Sequence, residues 1–162
     1  MLMKKYYLAD GARIIGDVEL SNNVSIWYNA VIRADTQSIH IGHDTNIQDL
    51  VMIHTGNILP VVIEDNVTIG HSAIIHGCTI HSNTLIGMGA ILLDGCEIGE
   101  CSIVGAGSLV TQGKVFPPRS LILGSPAKVI RELTDKEIES IFETANEYID
   151  HAIKDNLDVH EA

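Results

Sequence analysis

Residues 80–110 read IHSNTLIGMGAILLDGCEIGECSIVGAGSLV, and an aliphatic residue recurs at every sixth position of this stretch. The steps fall at Ile80, Ile86, Leu92, Ile98, Val104 and Val110. A period of six fits neither an α-helix, which repeats every 3.6 residues, nor a flat strand, which alternates every two. It fits a coil with three short straight sides, each one hexad long, whose aliphatic residues point inward. We therefore expect an all-β solenoid.

The same step can be followed back towards the N-terminus, and fifteen hexads predict five coils. Its earlier members are Leu20, Ile26, Ile32, Ile41, Ile47, Ile53, Ile63, Ile69 and Ile75. Glycine and asparagine near the hexad ends permit corners with positive φ. The steps from Ile32 to Ile41 and from Ile53 to Ile63 contain extra residues. Such loops on a solenoid commonly mark its functional face, so we expect the site beside them.

The repeat is predicted to stop after Val110, and a helix is predicted near the C-terminus. Thr134 and Glu137 have the spacing of a capping box, and apolar residues follow at helical spacing. One amphipathic helix of roughly twenty residues should pack back along the coils, with a frayed tail after Asp155. We accordingly divide the chain into a β-helix (1–125) and a C-terminal helical segment (126–162) within a single structural domain.

Composition and charge exclude several classes of protein. The formal net charge of −11 argues against binding to nucleic acid, which depends on Lys and Arg. No stretch approaches the ~20 apolar residues of a membrane span, and the first residues lack a secretory signal, so we expect a cytoplasmic protein. Cys78, Cys96 and Cys101 form no CxxC pair and are expected to be small buried residues.

Counting along the repeat places histidines in columns. We call the sides that begin at Leu20, Ile26 and Ile32 side a, side b and side c, and keep these names for the equivalent hexads of later coils. The second position of side c is Arg33, His54 and His76 on three successive coils. Neighbouring coils lie ~4.8 Å apart, so the two histidines can share one ion. The third position of side b places Asp49 one coil from His71.

The position of His71 suggests that a metal site would be shared between subunits. His71 and His76 are separated by five residues, roughly 16 Å of straight strand, whereas Zn–N bonds measure about 2.0–2.1 Å. A threefold ring in which side b of one chain faces side c of the next would supply the third ligand. The other five histidines show no shared register and are predicted to be surface residues: His40, His43, His81, His151 and His160.

At this point the sequence resembles the gamma-class carbonic anhydrase family over nearly its whole length. The matching motifs are Ile32-Arg33-Ala34-Asp35, Asn46-Ile47-Gln48-Asp49, His54, Gly70-His71-Ser72-Ala73, His76-Gly77-Cys78 and Leu123-Gly124-Ser125-Pro126-Ala127. The resemblance implies a left-handed β-helix and a homotrimer with one divalent metal per subunit, with zinc expected first and iron or cobalt also suited to imidazole. It implies reversible hydration of carbon dioxide to bicarbonate by a metal-bound hydroxide.

The family pattern also assigns roles to individual residues. It implies that His54 and His76 bind the metal together with His71 of the neighbouring subunit. It implies an ion pair between Arg33 and Asp35 at the interface. Gln48 and Asp49 would bind and orient the metal-bound water, and Asn46 would help to order the pocket. Tyr148 or Asn146 on the closing helix could approach the site.

Two departures from the family pattern bear on the rate. Thr36 stands where the best-known active member has a glutamate, and the loop from Thr55 to Pro60 carries no carboxylate. Because those acids are associated with passing protons to bulk water, slow turnover is expected.

Two other functions remain open at this stage. One is acyl transfer or thioester hydrolysis with coenzyme A substrates, for which Arg119, Lys128 and Arg131 are a weak phosphate-binding candidate. The other is a metal-binding trimer with little activity. The fold alone does not choose among these functions.

Overall fold

The computed structural model describes residues 5–155 and 157–161 and contains nineteen short strands and one helix. In chain order the strands are β1 (Lys5–Leu8), β2 (Arg13–Leu20), β3 (Val24–Ile26), β4 (Val31–Ile41), β5 (Asn46–Ile47), β6 (Met52–His54), β7 (Val61–Ile63), β8 (Thr68–Ile69), β9 (Ile74–His76), β10 (Thr79–Ile80), β11 (Leu85–Ile86), β12 (Ile91–Leu92), β13 (Glu97–Ile98), β14 (Ile103–Val104), β15 (Leu109–Val110), β16 (Val115–Phe116), β17 (Ser120–Gly124), β18 (Ala127–Glu132) and β19 (Asp158–Glu161). The helix, α1, is Asp135–Lys154.

The strands stack as the three sides of a parallel β-helix. Side b is a column of seven parallel strands, from β1 through β3, β5, β8, β11 and β14 to β17. Sides a and c join into one sheet because β2 and β4 each run from side c into side a. The predicted all-β solenoid is confirmed.

The solenoid is longer than the five coils that we predicted. Phe116 pairs with Ile98 and Ile122 pairs with Val104, so the repeat continues for two hexads beyond Val110. At the other end, Ile14 pairs with Ile32, which adds coil before Leu20. The end of the repeat was missed because an aromatic side chain, 7% exposed, fills the inward position at Phe116.

The core is the column of aliphatic steps that the sequence predicted. Ile26, Ile47, Ile69, Ile86 and Val104 on side b are all fully buried, as are their counterparts from Ile32 to Val110 on side c. Burial of each such side chain contributes about 1.5–3 kcal/mol relative to exposure. The inward positions are therefore occupied as predicted, and Cys78 and Cys96 lie among them as small buried residues.

Residues with positive φ form the corner between side a and side b. Asn23, Asp44, Asn66 and Asn83 occupy it on four successive coils, with φ between 57° and 61°. Asn and Asp tolerate this region better than other residues with a Cβ. Their side chains also bond between coils, since Asn23 donates to Asp44 and Asn66 donates to Asn83. The predicted corner chemistry is confirmed.

The closing helix begins where the capping box predicted. Thr134 is the N-cap, its hydroxyl accepts from the backbone N–H of Glu137, and the Glu137 carboxylate accepts from the backbone N–H of Thr134. Ile138, Ile141, Ala145 and Ala152 are buried, and α1 packs across β3, β5 and β8 of side b. None of the helices in the described ranges is long and apolar enough to span a membrane. The boundary at 125/126 stays a prediction.

The expectation of a frayed tail is wrong. Leu157 packs beside the buried Trp27, and β19 pairs antiparallel with β1, with His160 stacked on Tyr6. At the opposite end of side b, β18 pairs antiparallel with β17. An open sheet edge exposes unpaired backbone groups, and these two strands satisfy the edges at both ends of side b.

Candidate metal centre

The register of side c brings two of the predicted ligands together. Arg33 pairs with His54 between β4 and β6, and His54 pairs with His76 between β6 and β9. The Nδ1 atom of His54 lies 3.1 Å from Nε2 of His76. The predicted vertical column of Arg33, His54 and His76 is therefore present.

The two longer steps of the repeat border this histidine pair. Asp35 lies on the first of them and accepts from Arg33, and its Oδ1 lies 2.9 Å from Nε2 of His54. The hydrogen bond with His54 and the nearby guanidinium of Arg33 lower the pKa of Asp35, although desolvation opposes them. The second step is fastened to the first, since the hydroxyls of Thr36 and Thr55 lie 2.6 Å apart. The ion pair implied by the resemblance forms within one chain.

His71 follows β8 at the corner between side b and side c. Its Nδ1 lies 2.7 Å from Oδ2 of Asp49, and Asp49 also accepts from the backbone N–H of Tyr28. The carboxylate of Asp49 therefore orients the imidazole of His71. The role that the resemblance assigned to Asp49, contact with a metal-bound water, stays a prediction.

Gln48 and Asn46 form a buried amide chain beside His71. The Gln48 Oε1 accepts from the backbone N–H of His71, and its Nε2 donates to Oδ1 of Asn46. Asn46 in turn donates to the hydroxyl of Thr68. Both amides are at least 95% buried, so their orientations are fixed by these partners.

A cleft of about 430 Å³ opens between side b and the closing helix. It is lined by Gln48 and His71, by apolar residues such as Met88, and by Tyr148 of α1. Burial raises the pKa of Tyr148, and the charges of Asp49 and Glu147 raise it further. Tyr148 thus approaches the site as the resemblance suggested, whereas Asn146 is exposed on the helix.

Sequence reasoning missed one carboxylate. Asp94 Oδ1 lies 2.5 Å from Nδ1 of His76. The signal was available, because Asp94 stands at the third position of side c one coil beyond His76. Each of the three histidines thus has one ring nitrogen against a carboxylate: His54 against Asp35, His71 against Asp49, and His76 against Asp94.

The donor set fits a divalent metal. Metal-binding histidines generally donate their second ring N–H to a carboxylate or carbonyl, which fixes the tautomer and leaves the other nitrogen free for the ion. Each of the three histidines here has one ring nitrogen against a carboxylate, and the second nitrogens of His54 and His76 face each other at 3.1 Å. Among the residues that the structure describes, no three His, Cys, Asp or Glu side chains of one chain are placed to hold a metal ion.

The remaining histidines lie away from this centre. His81, predicted to be a surface residue, is half-buried on side a between Glu64 and Glu97, with N–O distances of 2.9 and 2.8 Å. The two carboxylates raise the pKa of His81. Part of the signal was available, because Glu64 and His81 both occupy the second position of side a on neighbouring coils.

The candidate phosphate-binding cluster is largely neutralised. Arg119 pairs with Glu132 and Asp135, and Arg131 forms a bidentate pair with Glu137. These pairs join β18 and Arg119, just before β17, to the start of α1. Of the three basic residues considered for coenzyme A, two are therefore engaged by acids of the same chain.

Comparison with known proteins places the chain among hexapeptide-repeat proteins. The family model described as bacterial transferase hexapeptide (six repeats) matches residues 77–112. A solved structure of a hexapeptide transferase family protein from Anaplasma phagocytophilum superposes with a TM-score of 0.88 at 44% identity, covering 92% of this chain and 88% of the other. This likeness confirms the left-handed β-helix.

Several curated relatives are named carbonic anhydrases. The chain is 52% identical over 149 residues to the "probable carbonic anhydrase" of Methanocaldococcus jannaschii, covering 92% of this chain and 94% of the relative. It is 45% identical over 155 residues to gamma carbonic anhydrase 2, mitochondrial, of Arabidopsis thaliana, covering 92% of this chain. The chain spans 56% of the length of that plant relative.

Proposed function

The chain belongs to the gamma carbonic anhydrase family, and from that premise we propose that it is a homotrimeric metalloenzyme that reversibly hydrates carbon dioxide to bicarbonate. The observation that carries the proposal is the set of three carboxylate-oriented histidines, two in register on side c and one on side b. His54 and His76 of one subunit, with His71 of the next, would hold one divalent metal per subunit, zinc in the first instance and iron or cobalt as alternatives.

A divalent metal held by these three imidazoles in their neutral form would lower the pKa of a bound water to about 7 and would thereby supply hydroxide at neutral pH. The chain's own residues prepare the surroundings of that reaction. Asp35, Asp49 and Asp94 hold the three imidazole rings in fixed orientations. Arg33 pairs with Asp35 and so neutralises charge beside the site.

Gln48 and the cleft provide the place for carbon dioxide. The Gln48 amide, fixed between Asn46 and the His71 backbone, lines the cleft beside the His71 ring. Its position allows it to orient a reacting oxygen by hydrogen bonding. The apolar walls of the cleft, including Met88 and Ile103, suit a small uncharged substrate better than its anionic product.

The rival coenzyme A function has less support. Arg119 and Arg131 are paired with carboxylates, and base catalysis by a single histidine would not require three carboxylate-oriented imidazoles. The matched family model and the solved neighbour carry the word transferase in their descriptions, which is consistent with the shared fold. Fold alone does not assign the reaction.

The test is metal content measured together with carbon dioxide hydration on the same protein, purified without chelator and, in parallel, anaerobically. The proposal predicts about one metal per subunit and hydration that His54→Ala abolishes. His81→Ala is the matched control, because His81 also contacts two carboxylates but lies on side a. Metal without hydration would redirect the search to thioesters or a silent role. Absence of metal after reconstitution with zinc or iron would refute the proposal.

A further inference from the structure

We propose that Asp94 is a positioning residue of the metal centre, which fixes the His76 imidazole so that its Nε2 faces the ion. This inference rests on the proposed function, because it names a residue that serves the same site. The first observation is the contact itself, with Oδ1 of Asp94 2.5 Å from Nδ1 of His76. A carboxylate that accepts a hydrogen bond from the Nδ1–H group favours the imidazole tautomer whose proton is on Nδ1.

The second observation is that the carboxylate sits in a notch formed by two glycines. A Cβ built on Gly77 would lie 2.4 Å from Oδ1 of Asp94, and a Cβ built on Gly56 would lie 2.9 Å from it. Real Cβ atoms do not approach that closely. Any side chain at either position would therefore displace the carboxylate from His76, so the two glycines make room for this contact.

The third observation is that the backbone around the notch is held on every side. Gly77 donates to the carbonyl of His54, Gly95 donates to the carbonyl of Gly77, and Gly113 donates to the carbonyl of Asp94. The Thr36 hydroxyl donates to the carbonyl of Gly56. Hydrogen bonds across four consecutive coils, together with the loop that follows His54, thus hold Asp94 beside His76.

The arrangement also completes a pattern across the site. Asp35 contacts His54 and Asp49 contacts His71, and both belong to the motifs that carry the family resemblance. Asp94 lies outside those motifs, yet its distance to His76 is the shortest of the three. Loss of such an outer carboxylate generally lowers metal affinity by about 10- to 100-fold.

The experiment compares Asp94→Ala and Asp94→Asn with the wild type by two readouts. The first is the His76 ring tautomer in the metal-free protein, read from the ¹⁵N shifts of the ring. The second is zinc affinity by chelator competition. We expect Asp94→Ala to lose the Nδ1–H preference and to bind zinc about 10- to 100-fold more weakly. Asp94→Asn, which keeps an acceptor oxygen, should recover most of both.

Two further variants test whether the effect is specific to the contact between Asp94 and His76. Glu97→Ala removes a carboxylate from His81 on side a and should change neither readout. Gly56→Ala keeps every histidine and carboxylate but crowds Asp94, so it should reproduce the loss even if Asp94→Ala folds poorly; Asn57→Ala in the same loop is its control.

The outcomes separate this inference from the proposed function. Wild-type tautomer and zinc affinity in both Asp94→Ala and Gly56→Ala, with zinc binding still abolished by His76→Ala, would overturn the role of Asp94 alone. A wild-type protein that binds neither zinc nor iron would refute the proposed function instead. In that case the tautomer measurement alone decides whether Asp94 orients His76.

Discussion

The Nδ1 atom of His54 lies 3.1 Å from Nε2 of His76 because the two residues occupy the same position on neighbouring coils. Twenty-two residues separate them, and the pairing depends on the ten-residue step from Ile53 to Ile63. Side chains at these positions point away from the aliphatic core, so the chemistry of the site is separable from the stability of the fold.

That separation predicts different outcomes for two neighbouring substitutions. His71→Ala should remove metal binding and leave the fold intact, because the His71 side chain is 41% exposed. Ile69→Ala should lower the free energy of unfolding by about 2–5 kcal/mol, because Ile69 is fully buried. Circular dichroism and denaturant unfolding, both with chelator present, report the fold and the free energy of unfolding of each variant. Metal analysis reports whether each variant binds metal. Unfolding of His71→Ala would contradict the account.

Proton transfer should limit the hydration rate. Thr36 is engaged with Thr55 and the carbonyl of Gly56, and the loop to Pro60 carries no carboxylate that could accept a proton. A small diffusible base such as imidazole should therefore raise kcat several-fold at constant pH and ionic strength. Stopped-flow hydration at increasing buffer concentration measures this. A rate independent of buffer would place the slow step elsewhere.

The Glu64–His81–Glu97 contact should make stability depend on pH. The hydrogen bond between His81 and Glu97, and then the one between His81 and Glu64, raise the pKa of His81 above its ordinary value of 6.5. Burial opposes ionisation of Glu64, yet hydrogen bonds from His81 and Ser82 lower its pKa below 4.5 on balance.

The sign of the effect follows from these two directions. The raised pKa of His81 contributes stability that is fully present below about pH 6.5 and is lost as the pH rises through the pKa of His81 in the folded state. A lowered glutamate pKa contributes above about 4.5 and is lost as pH falls through its folded value. We expect His81→Gln to flatten the decline in unfolding free energy above pH 6.5, and His43→Gln, an exposed control, to leave it unchanged. An equal decline in His81→Gln would contradict this assignment.

Tyr148 offers a test of the cleft. Its raised pKa keeps the hydroxyl protonated at neutral pH, so it can donate a hydrogen bond beside His71. Tyr148→Phe should lower kcat/KM for hydration about 2- to 10-fold, the value of one hydrogen bond, with metal content unchanged. The ring should still pack edge-on against Trp27, with centroids 5.4 Å apart, so Trp fluorescence should not move. Tyr7→Phe, in the same aromatic cluster, is the control, and equal effects of the two variants would exclude a role for the hydroxyl.

The sequence predicted what depends on the period and missed what depends on side chains meeting across coils. Six-residue spacing repeats so often that the core, the corners and the register of His54 on His76 follow from counting. The contacts of Asp94 with His76 and of Glu64 and Glu97 with His81 were missed, because register shows which residues are neighbours but the side-chain rotamers decide which carboxylate reaches which ring. The hexad at Phe116 was missed because an aromatic residue stands at the inward position that is aliphatic in the other hexads.

The tail was missed for a different physical reason. Pairing of β19 with β1 joins the two ends of the described chain, and no periodic signal marks a contact of that sequence separation. The edge of side b needs a partner strand, but the sequence does not reveal which segment supplies it. The antiparallel cap by β18 at the other end was likewise outside the hexapeptide pattern.

The most direct test of the central claim is subunit complementation between His54→Ala and His71→Ala. The two variants are co-expressed with different affinity tags that bind no metal, and trimers that carry both tags are isolated. In a threefold ring with sites shared between neighbours, each mixed trimer regenerates one intact site. The account predicts about one zinc per mixed trimer with recovered hydration, while each variant alone has neither. Mixed trimers without zinc or hydration, beside a wild type that has both, would contradict a site shared between subunits.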